Sequence, residues 1–418
     1  MNAEIISIGN EVVDGSVLNT NATWLSEQLS RLGISVRWHT AVPDDEAMML
    51  EAFATAAGRA RWVLVTGGLG PTVDDFTLEV AANFFGQPLV VDPLALKKLR
   101  QRLARLGREI SPNQEKQARL PKDSAMLLND RGTAPGAYYE YRGVGFAFFP
   151  GVPFEMEAMF EKNFFPILKK HLGQGAQRYL KVLRCYGLTE GRMDQALQDA
   201  LKGRLDFLGA QLGFRVRFPT IDIRLSVSES DEKAAKQILR RAAQVVRKKL
   251  GIVVFGEGKD QLEGVVGELL RKKKRTVATA ESCTGGLLAN QITDVPGASE
   301  YFLQGVVCYS NESKQKLLGV KTATLKKYGA VSAEVALEMA KGIRKKAGSD
   351  FGVAVTGIAG PTGGTKLKPV GTVHIAVAYP GGQWERGYLF PFDRPHFKQV
   401  VAATALDRVR RILLGASS

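Results

Sequence analysis

Cysteine and histidine are scarce in this sequence, at 3 and 4 residues among 418. Cys185, Cys283 and Cys308 are widely spaced and form no CxxC pair. That speaks against a disulfide framework or a structural zinc site and fits a reducing cytosol. His39, His171, His374 and His396 make no HExxH and no His/Cys cluster, so no metal-site motif rests on histidine. Apolar runs are short, far from the roughly 20 residues that a membrane span needs. The opening residues lack the basic start of a secretion signal and enter a strand at once, so a cytoplasmic protein is expected. There is no fixed-period repeat and no low-complexity tract.

Acidic residues are outnumbered as well. Asp and Glu total 42 against 57 Lys and Arg, giving a net charge of +15. Such an excess suits an anionic partner: a nucleotide, a phosphate or a nucleic acid. Basic runs at 271–275 and 344–346 fall near predicted helix ends, where cations complement the helix dipole, and read first as solvated faces. Apolar residues make up 45%, ordinary for a globular chain, and at about 150 residues per domain the length suggests two to four domains.

The pattern predicts an α/β protein. Residues 5–8, 35–39 and 62–65 read as strands, and 21–32 and 44–59 as amphipathic helices, a βαβ rhythm that implies a parallel sheet. A helix over 154–171 closes this first segment, 1–172. Gly173-Gln174-Gly175 reads as a linker. The segment 173–257 differs: residues 221–227 alternate strictly as a half-exposed strand, and 231–250 form a basic amphipathic helix, giving a small α+β unit with an antiparallel sheet. The segment 258–418 is a second α/β layer, with strands at 276–280, 351–356 and 371–379, a helix at 332–347 and a C-terminal helix.

Two stretches carry chemistry. In the first, Gly67, Gly68, Gly70, Thr72, Asp74 and Asp75 follow a buried strand and precede a helix. Glycines there let backbone N–H groups approach an anion, and the aspartates supply hard oxygens for a Mg²⁺-like ion. A turn and a capped helix would explain one Gly-Gly pair, but Gly-Gly-x-Gly-Pro-Thr-x-Asp-Asp favours phosphate or nucleotide binding. Glu11, at the end of the first strand, and the loop 132–136 would join this site beyond the strands' carboxyl ends.

The second stretch holds Ser282, Thr284, Gly285, Gly286, Ser299, Tyr309 and Lys314, the inventory of a Ser/Lys/Tyr amide hydrolase. Taken singly, each of these side chains is as readily structural. Lys314 falls in the first turn of a helix capped at Ser310 or Asn311, where the dipole and burial would lower its pKa and make it a base. Tyr309 would relay a proton or donate to the oxyanion. Thr284, Gly285 and Gly286 open a helix and are assigned to a substrate phosphate. Ser282 then lies on the phosphate side, and Ser299 is preferred as nucleophile. Thr356, Gly357 and Gly360 form a second glycine loop that would wrap the ligand or supply oxyanion donors. Cys283 reads as a buried thiol and His374 as a packed residue.

These motifs resemble the CinA family along nearly the whole chain. Residues 65–75, 113–118 and 150–156 are similar to its N-terminal domain, of the molybdopterin-binding fold shared by MogA- and MoeA-like proteins. Residues 280–286, 309–312, 329–332, 356–361 and 368–373 match, in order, the PncC-type nicotinamide-nucleotide amidase domain. The resemblance implies a MogA-like α/β domain, a KH-like connector and an α/β amidase. It implies deamidation of nicotinamide mononucleotide without a cofactor and metal-dependent hydrolysis of ADP-ribose, together a salvage of pyridine nucleotides. It carries the amidase serine, tyrosine and lysine to Ser299, Tyr309 and Lys314, and the acidic positions to Asp74 and Asp75. Gln304 replaces a common glycine. The family implies a homodimer; no GxxG loop joins two helices in the middle segment, and a nucleic-acid partner is not expected. The rival readings are a nucleotide-binding adaptor with silent sites, an RNA-binding protein, and molybdopterin handling.

Overall fold

The computed structural model describes residues 1–105, 107, 109–172, 177–201 and 206–416. The predicted linker at 173–175 lies outside them. By backbone contacts the chain divides into two compact bodies, 1–179 with 228–235, and 180–227 with 236–418. Most of the middle segment thus shares one body with the C-terminal segment.

The first body is built on six strands, β1 (Asn2–Ile8), β2 (Ser35–Val42), β3 (Trp62–Thr66), β4 (Ala125–Leu127), β5 (Gly136–Tyr141) and β6 (Val144–Phe149), in the order β2-β1-β3-β6-β5-β4. The pairs β1–β2, β1–β3 and β3–β6 are parallel; β4 and β5 run antiparallel at one edge. Strands buried on both faces need apolar residues at consecutive positions, and β3 (Trp62-Val63-Leu64-Val65) is fully buried. Val63 and Val65 face a core with Met49 and Phe53 of helix α2 (Glu46–Arg59) and Leu78 and Ala81 of α3 (Thr77–Phe85). Trp62 and Leu64 face the opposite core, with Leu25 and Leu29 of α1 (Thr20–Arg31). This is a three-layer α/β domain. The helix expected over 154–171 starts at Pro153 and is interrupted by a π-helical stretch, Phe160–Phe164.

The middle segment has the expected antiparallel character. A hairpin of β7 (Ala210–Arg217) and β8 (Thr220–Glu229) is followed by α4 (Glu232–Leu250), whose start is fixed by the Asp231 carboxylate accepting from Lys233 N–H. The C-terminal sheet comprises β9 (Val277–Glu281), β10 (Phe302–Val307), β11 (Phe351–Gly357), β12 (Thr372–Tyr379) and β13 (Gly382–Leu389), in the order β10-β9-β11-β12-β13. The first three are mutually parallel and the last two antiparallel. The edge strand β13 escaped the sequence reading because its polar, glycine-bounded residues carry no clean apolar alternation. One sheet face buries valines against α5 (Leu262–Lys272), α6 (Leu287–Thr293) and α10 (Arg394–Leu413); the other carries alanines, Ala278, Ala280, Ala354, Ala376 and Ala378, beneath α9 (Ala333–Ala347). On the alanine face lie also α7 (Asn311–Leu318) and α8 (Thr322–Tyr328), whose Leu318 and Leu325 join the core under α9. No described helix is long and apolar enough to cross a membrane.

Candidate active sites

In the first body a cavity of about 540 Å³ opens at the carboxyl ends of β1 and β3. Gly67 has φ +105°, and a Cβ there would lie 2.1 Å from the Ile8 carbonyl oxygen, so only glycine lets the two strand ends meet. Gly67, Gly68, Gly70, Glu11, Asp74 and Asp75 all line the cavity, with Asp44, Thr133, Ala134 and Glu155. Thr72 sits behind the lining, its hydroxyl within hydrogen-bond reach of the carboxylates of Asp74 and Asp75 and able to donate to either. Lys116 holds the same turn from outside, donating to the carbonyls of Thr72 (2.6 Å) and Asp75 (2.7 Å).

Every charged residue lining this cavity is acidic. Burial raises the Asp44 pKa, and the neighbouring Glu11, Asp74 and Asp75 push it further the same way. The Thr72 hydroxyl holds Asp74 below the ordinary carboxylate value. Among the described residues no three potential ligands converge as a metal cage. The donor set suits a hard cation nonetheless, since Mg²⁺ characteristically takes one or two carboxylates and fills its shell with water and substrate phosphate.

In the second body β9 ends on Glu281, and Ser282 follows it directly. The Glu281 carboxylate is buried and accepts from the backbone N–H groups of Gly286 (2.9 Å), Leu288 (3.1 Å) and Ala289 (2.8 Å). The chain's own carboxylate therefore occupies the start of α6, where a substrate phosphate was expected. The Thr356 hydroxyl donates to the Ala330 carbonyl at 2.8 Å and so serves the scaffold, while Thr284 is fully buried with its hydroxyl unpartnered. Gly357 and Gly360 are also required by packing. A Cβ at Gly357 would lie 2.8 Å from the Thr372 carbonyl oxygen, and one at Gly360 2.5 Å from Val370.

Lys314 is 1% exposed. It projects from the first turn of α7, which Ser310 caps by accepting from Ser313 N–H. Its Nζ donates to Ser282 Oγ (3.1 Å) and to the carbonyls of Cys308 (2.9 Å) and Tyr309 (3.0 Å). Lys314 makes no ion pair among the described residues, and burial lowers its pKa. Burial with no counter-charge favours the neutral amine, against the two carbonyls that accept from Nζ and favour the ammonium.

Ser299 lies elsewhere. It is exposed on a 3₁₀ turn, Ala298–Glu300, before β10, whereas Lys314 follows that strand. With β9 and β10 parallel, the six residues of β10 place Ser299 near the opposite end of the sheet, roughly 20 Å away at the usual rise per residue. The preference for Ser299 is corrected: the parallel register, invisible in sequence spacing, brings Ser282 to Lys314. Tyr309 is 61% exposed, and its hydroxyl accepts from Arg394 Nη2 at 3.0 Å. Arg394 Nη1 donates to the Gly360 carbonyl at 3.0 Å, tying the glycine loop to Tyr309. Lys398 Nζ would lie 3.6 Å from a Cβ at Gly285. Sequence reading missed Arg394 and Lys398; the only local signal, Asp393 before Arg394-Pro395, marks a helix start and no function. Cys283 and Cys308 beside this site are buried thiols pushed up to about 12 and about 11. His374 pairs with Glu385 at 2.7 Å on β12 and β13.

Fold and site together define a multidomain α/β protein with an acidic cleft at the carboxyl ends of parallel strands in the first body and a serine–lysine pair at the carboxyl end of β9 in the second. Three family models cover it in order: the "Probable molybdopterin binding domain" over 4–170, the "Damage-inducible protein CinA KH domain" over 180–256 and the "CinA C-terminal domain" over 259–413. The chain belongs to the CinA family. It is 42% identical to a CinA-like protein of Geobacter sulfurreducens, covering 100% of both chains. It is 40% identical to one of Geotalea uraniireducens, covering 100% of this chain and 99% of the relative. A solved structure of CinA from Thermoplasma acidophilum is 35% identical, covers 41% of this chain and 98% of its own, and has a TM-score of 0.38.

Proposed function

We propose that the C-terminal site is an amidase acting on nicotinamide mononucleotide. The observation that carries this reading is Lys314, buried, without a counter-ion and hydrogen-bonded to Ser282. Neutral Lys314 takes the Ser282 proton as Oγ attacks the carboxamide carbon. The tetrahedral intermediate collapses as the lysine returns that proton to the departing nitrogen, releasing ammonia and leaving a nicotinoyl ester on Ser282. Water, deprotonated by the same amine, then cleaves the ester to nicotinate mononucleotide. The substrate's pyridinium charge makes its carboxamide unusually electrophilic, so this dyad needs no metal. Arg394 and Lys398, cations beside the glycine turn, are the groups suited to the substrate phosphate.

The acidic cavity of the first body is proposed to hydrolyse ADP-ribose with a divalent cation. A diphosphate does not enter a cleft walled by Glu11, Asp44, Asp74, Asp75 and Glu155 without one. Asp74 and Asp75 would hold the cation together with substrate phosphate oxygens; when bound it neutralises the diphosphate and makes a water more acidic.

Ammonia release from nicotinamide mononucleotide by the purified chain, with EDTA present, tests the first reading. Turnover in the wild type that is lost in folded Lys314→Ala supports it. A folded wild type without turnover removes it and leaves a binding role.

A further inference from the structure

The middle segment lies along α10, the helix that carries Arg394 and Lys398 into the C-terminal site. Tyr186 Oη donates to the Val400 carbonyl at 3.2 Å and bonds the Thr404 hydroxyl at 2.7 Å. Near the helix end the Ile252 carbonyl accepts from Arg410. At the helix start the tip of the β7–β8 hairpin reaches across. The Phe218 ring stands edge-to-face with Phe392, centroids 5.1 Å apart and planes at 76°, and with His396, at 5.0 Å and 84°. His396 is in turn fixed to the helix-capping residue, its Nδ1 2.7 Å from Asp393 Oδ1, while Asp393 also accepts from His396 N–H at 2.9 Å. Arg394 lies between these two held residues, and its guanidinium bridges Tyr309 and Gly360.

We propose that Phe218, a residue of the KH-like segment, is a positioning residue for the C-terminal site. It clamps Phe392 and His396 and so fixes the first turn of α10, with Arg394 and Lys398, against Tyr309 and the loop after Ser282. The inference rests on the amidase reading for its kinetic consequence alone; the clamp itself is a statement about structure. Its physical basis is that residues 391–396 are all exposed and the core grips this end of the helix first at Phe397, so the aromatic contact and the Asp393 cap hold the stretch that carries Arg394. The middle segment also has no glycine pair at GxxG spacing, the loop by which KH domains clamp nucleic-acid backbones. A role as a scaffold for the neighbouring site accounts for its presence without that loop.

The test uses the full chain as wild type, Phe218→Ala and Phe218→Tyr, with Phe392→Leu removing the same contact from the other side. Phe218 is 36% exposed, so its truncation leaves the cores intact. Amide hydrogen exchange should speed up across residues 392–398 in Phe218→Ala and Phe392→Leu, stay unchanged in β9 and β11, and return toward wild type in Phe218→Tyr. KM for nicotinamide mononucleotide should rise roughly three- to tenfold in the same two variants, the range that loss of an aromatic pair corresponds to, with kcat changing less. Exchange at 392–398 that is identical in wild type and Phe218→Ala overturns the clamp whatever the activity. Faster exchange with unchanged KM overturns the positioning role. If the wild type does not turn over this substrate, the amidase reading fails by itself, and the exchange result still decides whether Phe218 holds the helix start.

Discussion

At the scale of single residues, Lys314 and Ser282 set the clearest expectations. Lys314→Ala should lower kcat/KM about 10²–10⁴-fold, the usual contribution of a positioned general base, and Ser282→Ala by at least as much. Ser299→Ala, at the far end of the sheet, should stay near wild type; steady-state ammonia release distinguishes the three. The lysine also leaves a mark on stability. Its pKa lies below the ordinary 10.5 because burial penalises its charge. Between the lowered value and about 10.5 the unfolded chain binds more protons at this site than the folded one, so stability rises with pH across that window. Urea midpoints measured from neutral pH to about 10.5 should therefore climb in wild type relative to Lys314→Met. A constant difference between the two would contradict a depressed lysine. Glu281→Gln, which leaves the α6 N–H groups a poorer acceptor, should cost about 2–3 kcal/mol in the same assay, the scale of hydrogen bonds to a charged group.

At the scale of elements, small residues decide how closely helices approach. Gly342 of α9 abuts the end of α7: an added Cβ would lie 2.0 Å from the Leu318 carbonyl oxygen. Gly342→Ala should then destabilise by about 1–3 kcal/mol through overpacking, read by chemical denaturation. The activity should fall with it, because α7 carries Lys314. The elements themselves were largely legible. The apolar run of β3, the alternation at 221–227 and the caps of α7 and α9 all announce their structures in sequence, because burial on two faces, burial on one face and an orphan N–H each demand a residue type. The edge strand β13 was not legible, since a half-exposed strand has only a weak apolar demand on its residues. Nor was the π-helical stretch at Phe160–Phe164, which local propensity does not encode.

At the scale of the whole molecule, the two candidate sites belong to separate bodies with separate cores. Their proposed activities should separate accordingly. EDTA or Asp74→Asn should abolish ADP-ribose hydrolysis, followed by phosphate-ester products, and leave nicotinamide mononucleotide deamidation intact. Lys314→Ala should do the reverse. Loss of both activities in either variant would show that the sites depend on each other.

The sequence by itself determined the family, the α/β character of both ends and the candidate stretches, because these depend on residue order and on local rules of burial, turns and caps. It also marked Lys314 as a helix-start lysine. Which serine that lysine meets was decided only by the tertiary structure. Ser299 stands closer to it in the chain, at 15 residues against 32 for Ser282, yet the parallel register of β9 and β10 puts Ser282 at the lysine and Ser299 at the opposite end of the sheet. The same holds for Arg394, more than 80 residues from Tyr309, and for Glu281, whose carboxylate fills the helix start that a Gly-Gly motif seemed to offer to a phosphate. A motif states which groups are available; long-range packing decides which of them are already satisfied.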